Sequence, residues 1–149
     1  MIRLTLGLSL LLASATTLAF DNCASSINEL RNLIGDQETS MSWLEKASNP
    51  QKQLTLRITD SAGLIRLRLT SPRGEWALMS GEICHVEGTR YVANLKSDIV
   101  WGPASPSIIK GSKIRTVNLN LTSSKQLKVS VTKKVMLIPF TYNGDYSPL

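Results

Sequence analysis

Apolar and polar residues alternate along two neighbouring stretches of the chain, 53–59 and 64–70. The apolar members of these stretches are Leu54, Leu56, Ile58, Ile65, Leu67 and Leu69. An alternation with a period of two places one row of side chains on each face of a β-strand. The intervening sequence Asp60-Ser61-Ala62-Gly63 is typical of a turn. The pattern therefore predicts a β-hairpin with one buried face.

Less regular alternations follow over the rest of the chain. They predict strands at 75–86, 90–95, 113–122, 126–132 and 135–142. Gly81 marks a place for a bulge in the first of these, and Pro139 suits an edge or a bulge in the last. The chain is therefore predicted to be mainly β, an antiparallel meander of about seven or eight strands. Since nearly every connection has hairpin length, we expect a small barrel, with a sandwich as the alternative.

One segment near the N-terminus has a helical period instead. Its apolar residues recur on one helix face: Ile27, Leu30, Leu33 and Ile34. Ser25 or Ser26 is suited to cap the start, and Gly35 suits the end. Glu29 places a negative charge in the first turn, where the helix dipole favours it. Residues 25–35 are therefore predicted to form one short helix whose apolar stripe packs against the sheet.

The first residues have the layout of a cleavable signal peptide. Arg3 precedes the uncharged run 4–12, and small residues follow up to Ala19. The apolar run is shorter than the ~20 residues of a membrane-spanning helix, which makes an uncleaved anchor the weaker alternative. We therefore interpret 1–19 as a signal peptide and 20–149 as one β-rich domain. The domain would be periplasmic or secreted by a bacterium, and it would not span the membrane after cleavage.

Export changes how the charge and the cysteines are interpreted. Arg3 is the one charged residue in 1–19, so the net charge of +6 for the whole chain becomes +5 after cleavage. In an oxidising compartment, the cysteine pair Cys23 and Cys84 is expected to form a disulfide. Two buried free thiols are the alternative. Export also separates this basic chain from nucleic acid, so we expect no nucleic-acid partner.

A segment that contains two prolines, a glycine and a tryptophan interrupts the alternation. It runs from Trp101 through Pro103 to Pro106 and predicts a stiff, irregular loop. Loops on a β scaffold frequently carry binding residues. Trp101, Pro103 and Pro106 are therefore candidates for contact with a ligand or a partner. The alternative is a corner of the chain in which Trp101 fills one end of the core.

Residues suited to catalysis are few and scattered. His85 is the single histidine and follows Cys84 on a predicted strand. Their side chains would point to opposite faces, which prevents a nucleophile–base pair. The histidine, cysteines and carboxylates do not have the sequence spacing of a metal site. Glu75 and Glu82 are the first pair to test for carboxylate chemistry, but we expect no catalysis, no cofactor and no metal.

The positive charge is concentrated in two groups of residues. The first is the polar face of the predicted hairpin: Arg57, Arg66 and Arg68. The second is Lys110, Lys113, Arg115, Lys125, Lys128, Lys133 and Lys134. If Thr59 pairs with Leu64, Arg57 faces Arg66, and like charges facing each other slightly destabilise a sheet. The arginine patch is thus a candidate site for a lipid, a glycan or an acidic protein of the envelope. The alternative is a solvated face that contributes solubility.

Three functions are consistent with these features. The first is a non-catalytic envelope binding module for an apolar or anionic ligand or for a protein partner. Its natural wall or mouth residues are aromatic: Trp43, Trp76, Tyr91, Trp101 and Tyr142. The same side chains are equally suited to fill a core. A cavity lined by them would favour ligand binding, and a solid core would favour recognition at the surface.

The second function is a periplasmic inhibitor or a secretion or assembly accessory protein. A signal peptide, a β-meander and one disulfide resemble the plan of periplasmic lysozyme inhibitors, which implies action by protein contact. A basic chain is repelled at long range by a basic target such as lysozyme, so an acidic or neutral target fits better. The third function is a carboxylate-dependent hydrolase that uses Glu75 and Glu82.

Overall fold

The structure is a computed structural model that describes residues 22–97, 99–105, 114, 116–135 and 137–149, except for the side chains at 134, 135 and 140. The predicted signal peptide lies outside the described residues, and so do Pro106, Lys110, Lys113 and Arg115.

The described chain contains ten strands, one α-helix and a short 3-10 helix at Pro50–Lys52. The elements are β1 (Cys23–Ala24), α1 (Ile27–Ile34), β2 (Ser42–Glu45), β3 (Thr55–Ser61), β4 (Leu64–Ser71), β5 (Gly74–Glu87), β6 (Arg90–Leu95), β7 (Val100–Trp101), β8 (Thr116–Leu121), β9 (Leu127–Val135) and β10 (Ile138–Pro148). The predictions of a mainly β chain and of one short helix near the N-terminus are confirmed.

Eight of these strands form a closed ring. Going round it, the order is β2, β3, β4, β5, β6, β8, β9 and β10, each strand antiparallel to the next, and β10 pairs back with β2. The predicted antiparallel meander is therefore confirmed. The closure is not a clean barrel, because β10 joins β2 only over Tyr146–Pro148, while β1 and β7 pair with β5 off the ring. Pro139 lies in the part of β10 that pairs with β9 alone, which fits its predicted edge position.

The β3–β4 hairpin has a different register from the one considered in the sequence. Ser61 pairs with Leu64, so Arg57 faces Arg68, while Arg66 faces Thr59. The reason is the turn, which uses the two residues Ala62 and Gly63, both at positive φ, and not all four residues from Asp60. Two residues at positive φ match the twist of the flanking strands. Pairing of Arg57 with Arg66 is therefore wrong, although two arginines do face each other.

The predicted bulge at Gly81 is also wrong. Strand β5 changes register at two other points, where Trp76 and Val86 are left without a cross-strand partner. Gly81 pairs with both Ile65 of β4 and Leu95 of β6. A Cβ at Gly81 would lie 2.1 Å from the carbonyl oxygen of Asn94, so close approach of the neighbouring strand requires glycine here.

Helix α1 closes one end of the ring. The Ser26 side chain accepts a hydrogen bond from the Glu29 amide, and Gly35 ends the helix in the left-handed conformation. The Ile27 amide donates to the Asp60 carboxylate near the β3–β4 turn at 2.7 Å. After the helix, Asp36 contacts Lys125 of the β8–β9 turn at 2.6 Å. Residues 27–36 thus extend from one side of the ring to the other. We call the end of the ring that they cover the closed end.

The hydrophobic core fills the ring next to the helix. Leu30 of α1 is only 2 % exposed and belongs to the same buried cluster as the inward rows of the strands. Trp43 is buried there as well, and its indole N–H donates to the Lys125 carbonyl at 3.0 Å. Each aliphatic side chain buried in this way stabilises the fold by ~1.5–3 kcal/mol relative to exposure.

The predicted disulfide between Cys23 and Cys84 is confirmed. The two residues stand directly opposite each other and attach β1, and with it the start of α1, to β5. A cross-link over 61 residues restricts the unfolded chain and contributes up to ~4 kcal/mol in the loop-entropy model. A disulfide of this kind is compatible with export.

In the part of the chain that the structure describes, no helix combines the length and the apolar character needed to cross a bilayer.

Candidate ligand-binding cavity

An apolar cavity of about 250 Å³ lies inside the ring. It lies towards the end of the ring opposite α1, where β2, β4, β6 and β9 end; we call this the open end. Its walls are Leu56, Leu67, Leu69, Trp76, Met79, Trp101, Ile114, Val117, Val129, Val131, Lys133, Thr141 and Tyr142. The inward rows that form a solid core beside the helix therefore border empty space at the other end.

Trp76 reaches the cavity because of a bulge. The inward residues of β5 are Ala77 and Met79, which pair with Leu69 and Leu67 of β4. Strict alternation would point Trp76 outward, but the register shift at this residue re-aims its ring towards the cavity. Its ring meets that of Trp101 edge-on, with centroids 5.6 Å apart and an interplanar angle of 77°. Such pairs have a favourable electrostatic geometry.

Backbone hydrogen bonds hold Trp101 in place. The Gly102 amide donates to the Trp76 carbonyl at 2.9 Å, and the Ala104 amide donates to the Glu75 carbonyl at 3.0 Å. A Cβ at Gly102 would lie 2.1 Å from the Glu75 oxygen, so glycine is required for this approach. Trp101 of the predicted ligand loop therefore lines the cavity. Pro103 is exposed beside it, and Pro106 lies outside the described residues.

A partly buried hydrogen-bonded group lies next to the cavity wall. The Tyr142 hydroxyl donates to Glu45 Oε1 at 2.8 Å and is 2.9 Å from the Tyr146 hydroxyl. Glu45 Oε2 accepts from the Leu54 amide at 3.0 Å. Burial raises the pKa of both tyrosines well above the ordinary value, and the neighbouring Glu45 charge acts in the same direction. Both phenols therefore stay neutral and available as hydrogen-bond donors.

Gly144 makes room for this group. It occupies an inward position of β10 between the two tyrosines, and a Cβ there would lie 2.7 Å from the Tyr142 hydroxyl. Glu45 and Tyr146 also belong to the site, although no sequence pattern indicated them. The signal was weak, because β2 has only four residues and its alternation is too short to assign an inward face.

Among the described residues that line the cavity, Lys133 is the charged one. It continues an inward row of β9 that otherwise contains Leu127, Val129 and Val131. Lys133 is half-buried and lies close to the β9–β10 turn, so its position is near the open end. Its inward orientation differs from the prediction, in which Lys133 is one member of a dispersed basic group.

Three of the five aromatic residues proposed as walls line the cavity: Trp76, Trp101 and Tyr142. Trp43 packs in the core of the closed end instead. Tyr91 does not line this cavity but a second groove with both polar and apolar lining residues, and its ring centroid is 5.2 Å from that of His85.

The arginine patch lies on the outer face of the ring. Arg57 is exposed and contacts the Ser42 hydroxyl at 3.3 Å, and Arg68 is 3.7 Å from the Glu75 carboxylate. Arg66 is half-buried, and its Nε has no hydrogen-bond partner among the described residues. The contact with Glu75 offsets part of the positive charge of this patch.

The candidate catalytic residues are not brought together. His85 Nε2 is 2.9 Å from the Gly88 carbonyl, and its neighbour Cys84 is in the disulfide. Glu75 and Glu82 lie on one strand, separated by roughly 20 Å at ~3.3 Å per residue. Glycosidase carboxylates are at most ~9.5 Å apart, so these two cannot act as such a pair. Glu82 contacts Lys96 at 3.3 Å.

Cys23, Glu82 and Cys84 place potential metal-ligand atoms within 4.8 Å of one another. Their sulfurs are bonded to each other, and the ligand form of cysteine is the thiolate. The oxidised pair is therefore not available as a zinc-type ligand set.

Comparisons of this chain with protein-family models, with curated proteins and with solved structures find no match.

Proposed function

We propose that this chain is an exported binding module that holds an apolar ligand in the cavity at the open end of its strand ring. The observation that carries the proposal is the cavity itself, an apolar space of about 250 Å³ with Trp76, Trp101 and Tyr142 in its wall. The apolar run at 4–12 and the disulfide support export to the periplasm or the exterior.

The chemistry of the wall favours hydrocarbon. Each methylene group transferred from water to such a surface contributes ~0.8 kcal/mol. The volume lies just below the ~300–1,000 Å³ of common small-molecule pockets, which favours a slender ligand such as one acyl chain. Protein interiors are otherwise packed to a density of ~0.75, so a space of this size is not expected from packing alone.

A titration with decanol and with decanoate tests the proposal. Trp76 and Trp101 line the cavity, so occupation by an alkyl chain should change tryptophan fluorescence in a saturable way. Val131→Phe fills the cavity from an inward position and should weaken both ligands by about tenfold, equivalent to ~1.4 kcal/mol.

Thr59→Phe is the matched control, because Thr59 is an exposed residue that pairs with Arg66 near the β3–β4 turn at the closed end. It should leave both affinities unchanged. Absence of saturable binding by either probe, or equal effects of the two variants, would contradict the proposal.

Contact with a protein partner, as in an inhibitor or an assembly accessory, is the second candidate. The observation in its favour is the tip of the β9–β10 hairpin, where Leu137 is 92 % and Ile138 is 60 % exposed. Exposed apolar side chains together can mark an interaction surface. Recovery of one partner from envelope extracts by the wild type, and loss of that same partner with the double variant Leu137→Ser and Ile138→Ser, would favour this role.

A further inference from the structure

We propose, on the basis of the proposed function, that the ligand is a single-chain amphiphile with an anionic head group. Its chain would occupy the apolar interior, and its head group would lie beside Lys133 at the open end. The juxtaposition that carries the inference is an inward-facing cation at the outer margin of a wall whose other described residues are apolar or uncharged.

The position of Lys133 follows from the register of β9 and β10. Val131 pairs with Tyr142, and Lys133 pairs with Phe140, two residues nearer to the turn at Leu137. Along the same inward row, Val129 and Val131 line the cavity at greater depth. The Lys133 side chain therefore begins where the apolar wall ends.

A lysine in this position has two chemical parts. Its methylene stem can cover apolar wall while its ammonium group stays near water. The ammonium has three N–H donors, so it can receive a carboxylate or phosphate oxygen in addition to any neighbouring protein group. Partial removal from water strengthens the attraction between such opposite charges.

The rest of the wall sets the orientation of the ligand. The cavity-lining residues among those described include no aspartate or glutamate. Glu45, the nearby carboxylate behind Tyr142, already accepts hydrogen bonds from Tyr142 and from the Leu54 amide. A negative head group is therefore favoured at Lys133 and disfavoured towards Glu45, which directs the chain inward. The net charge of +5 that remains after cleavage also favours encounter with anions.

The test compares head groups on one chain length. Decanoate, decyl phosphate, decanol and decyltrimethylammonium would be titrated into the disulfide-bonded protein, with tryptophan fluorescence as the readout. We expect decanoate or decyl phosphate to bind about tenfold more tightly than decanol, and the cationic probe to bind most weakly. The stronger of the two anions then distinguishes a fatty acid from a phosphate-bearing lipid as the source of the head group.

The variant Lys133→Met removes the charge and keeps the length of the side chain. It should reduce the ratio of anionic-probe affinity to decanol affinity by about tenfold. Lys128→Met is the matched control, because Lys128 is an exposed residue on the outward face of the same strand. It should leave the ratio of decanoate to decanol affinity unchanged.

The outcomes separate the inference from the proposed function. Equal binding of decanoate and decanol, or an anion preference that persists in Lys133→Met, would overturn the inference while ligand binding stands. Absence of binding by every probe would overturn both. If Lys133→Met folds poorly, the comparison of decanoate with decanol in the wild-type protein still decides.

Discussion

The two ends of the strand ring have the same alternation of inward and outward residues, but one end is a packed core and the other contains a cavity. At the closed end, α1 inserts Leu30 among the inward rows, and the interior is solid. At the open end, the inward rows border the cavity, no residue of α1 lines it, and a bulge turns Trp76 towards it. Binary patterning thus determines which face is inside, whereas the elements outside the ring determine whether that inside is core or cavity.

The largest expected effect contrasts a truncation at each end. Leu30→Ala should lower the free energy of unfolding by about 3 kcal/mol, because it leaves a void in a packed interior. Val131→Ala should cost about 1 kcal/mol, because its side chain already borders open space. Urea denaturation of the disulfide-bonded protein measures both values. Equal costs at the two positions would break the distinction between a solid and an open end.

A smaller effect is expected from the hydrogen-bonded group between the two ends. Tyr142→Phe should cost about 2 kcal/mol, because it leaves both Glu45 Oε1 and the Tyr146 hydroxyl without their partner. Tyr146→Phe removes one bond and should cost about 1 kcal/mol. Denaturation gives the stabilities, and titration with decanol should show little change for Tyr142→Phe, because the ring remains in the wall. A reversed order of the two stability costs would count against the assigned bonding pattern.

The smallest effect concerns the ion pair that attaches the end of the helix segment. The hydrogen bond from Lys125 lowers the pKa of Asp36 from 3.8 to about 2, with a contribution from the Glu38 amide. A lowered pKa means that this stabilisation is present above the ordinary value and is lost as the pH falls from 3.8 towards about 2. In Asp36→Asn, this part of the acid-induced drop in Tm should disappear. An identical pH profile for wild type and variant would argue against the pair.

Local patterns predicted the regular parts of the fold. The alternation around Leu56 and Leu67 placed β3 and β4, and the helical stripe around Leu30 placed α1, because in both cases the residues that share a face lie close in sequence. The disulfide followed from the presence of two cysteines in a chain expected to be exported.

Other features depend on contacts between distant residues. The sequence Asn143-Gly144-Asp145 has the composition of a turn, yet it lies within β10. Glycine is required there because the tyrosines on either side occupy the space that a Cβ at Gly144 would fill. Strand β2 was not predicted, since four residues carry too little alternation. The inward orientation of Trp76 depends on a bulge that the pairing of β4 with β5 creates, and no pattern within β5 indicates it.

The seam between β2 and β10 has a consequence for the order of folding. It joins Glu45 to the last strand, and the bond from Tyr142 to Glu45 spans 97 residues. Hairpins such as β3–β4 form between residues that are close in sequence. The ring, in contrast, cannot close until β10 is present to pair with β2. Pairings between distant residues form slowly because a long loop must first be ordered. The ring therefore stays open until β10 is available to pair with β2, which makes its closure a late step of folding.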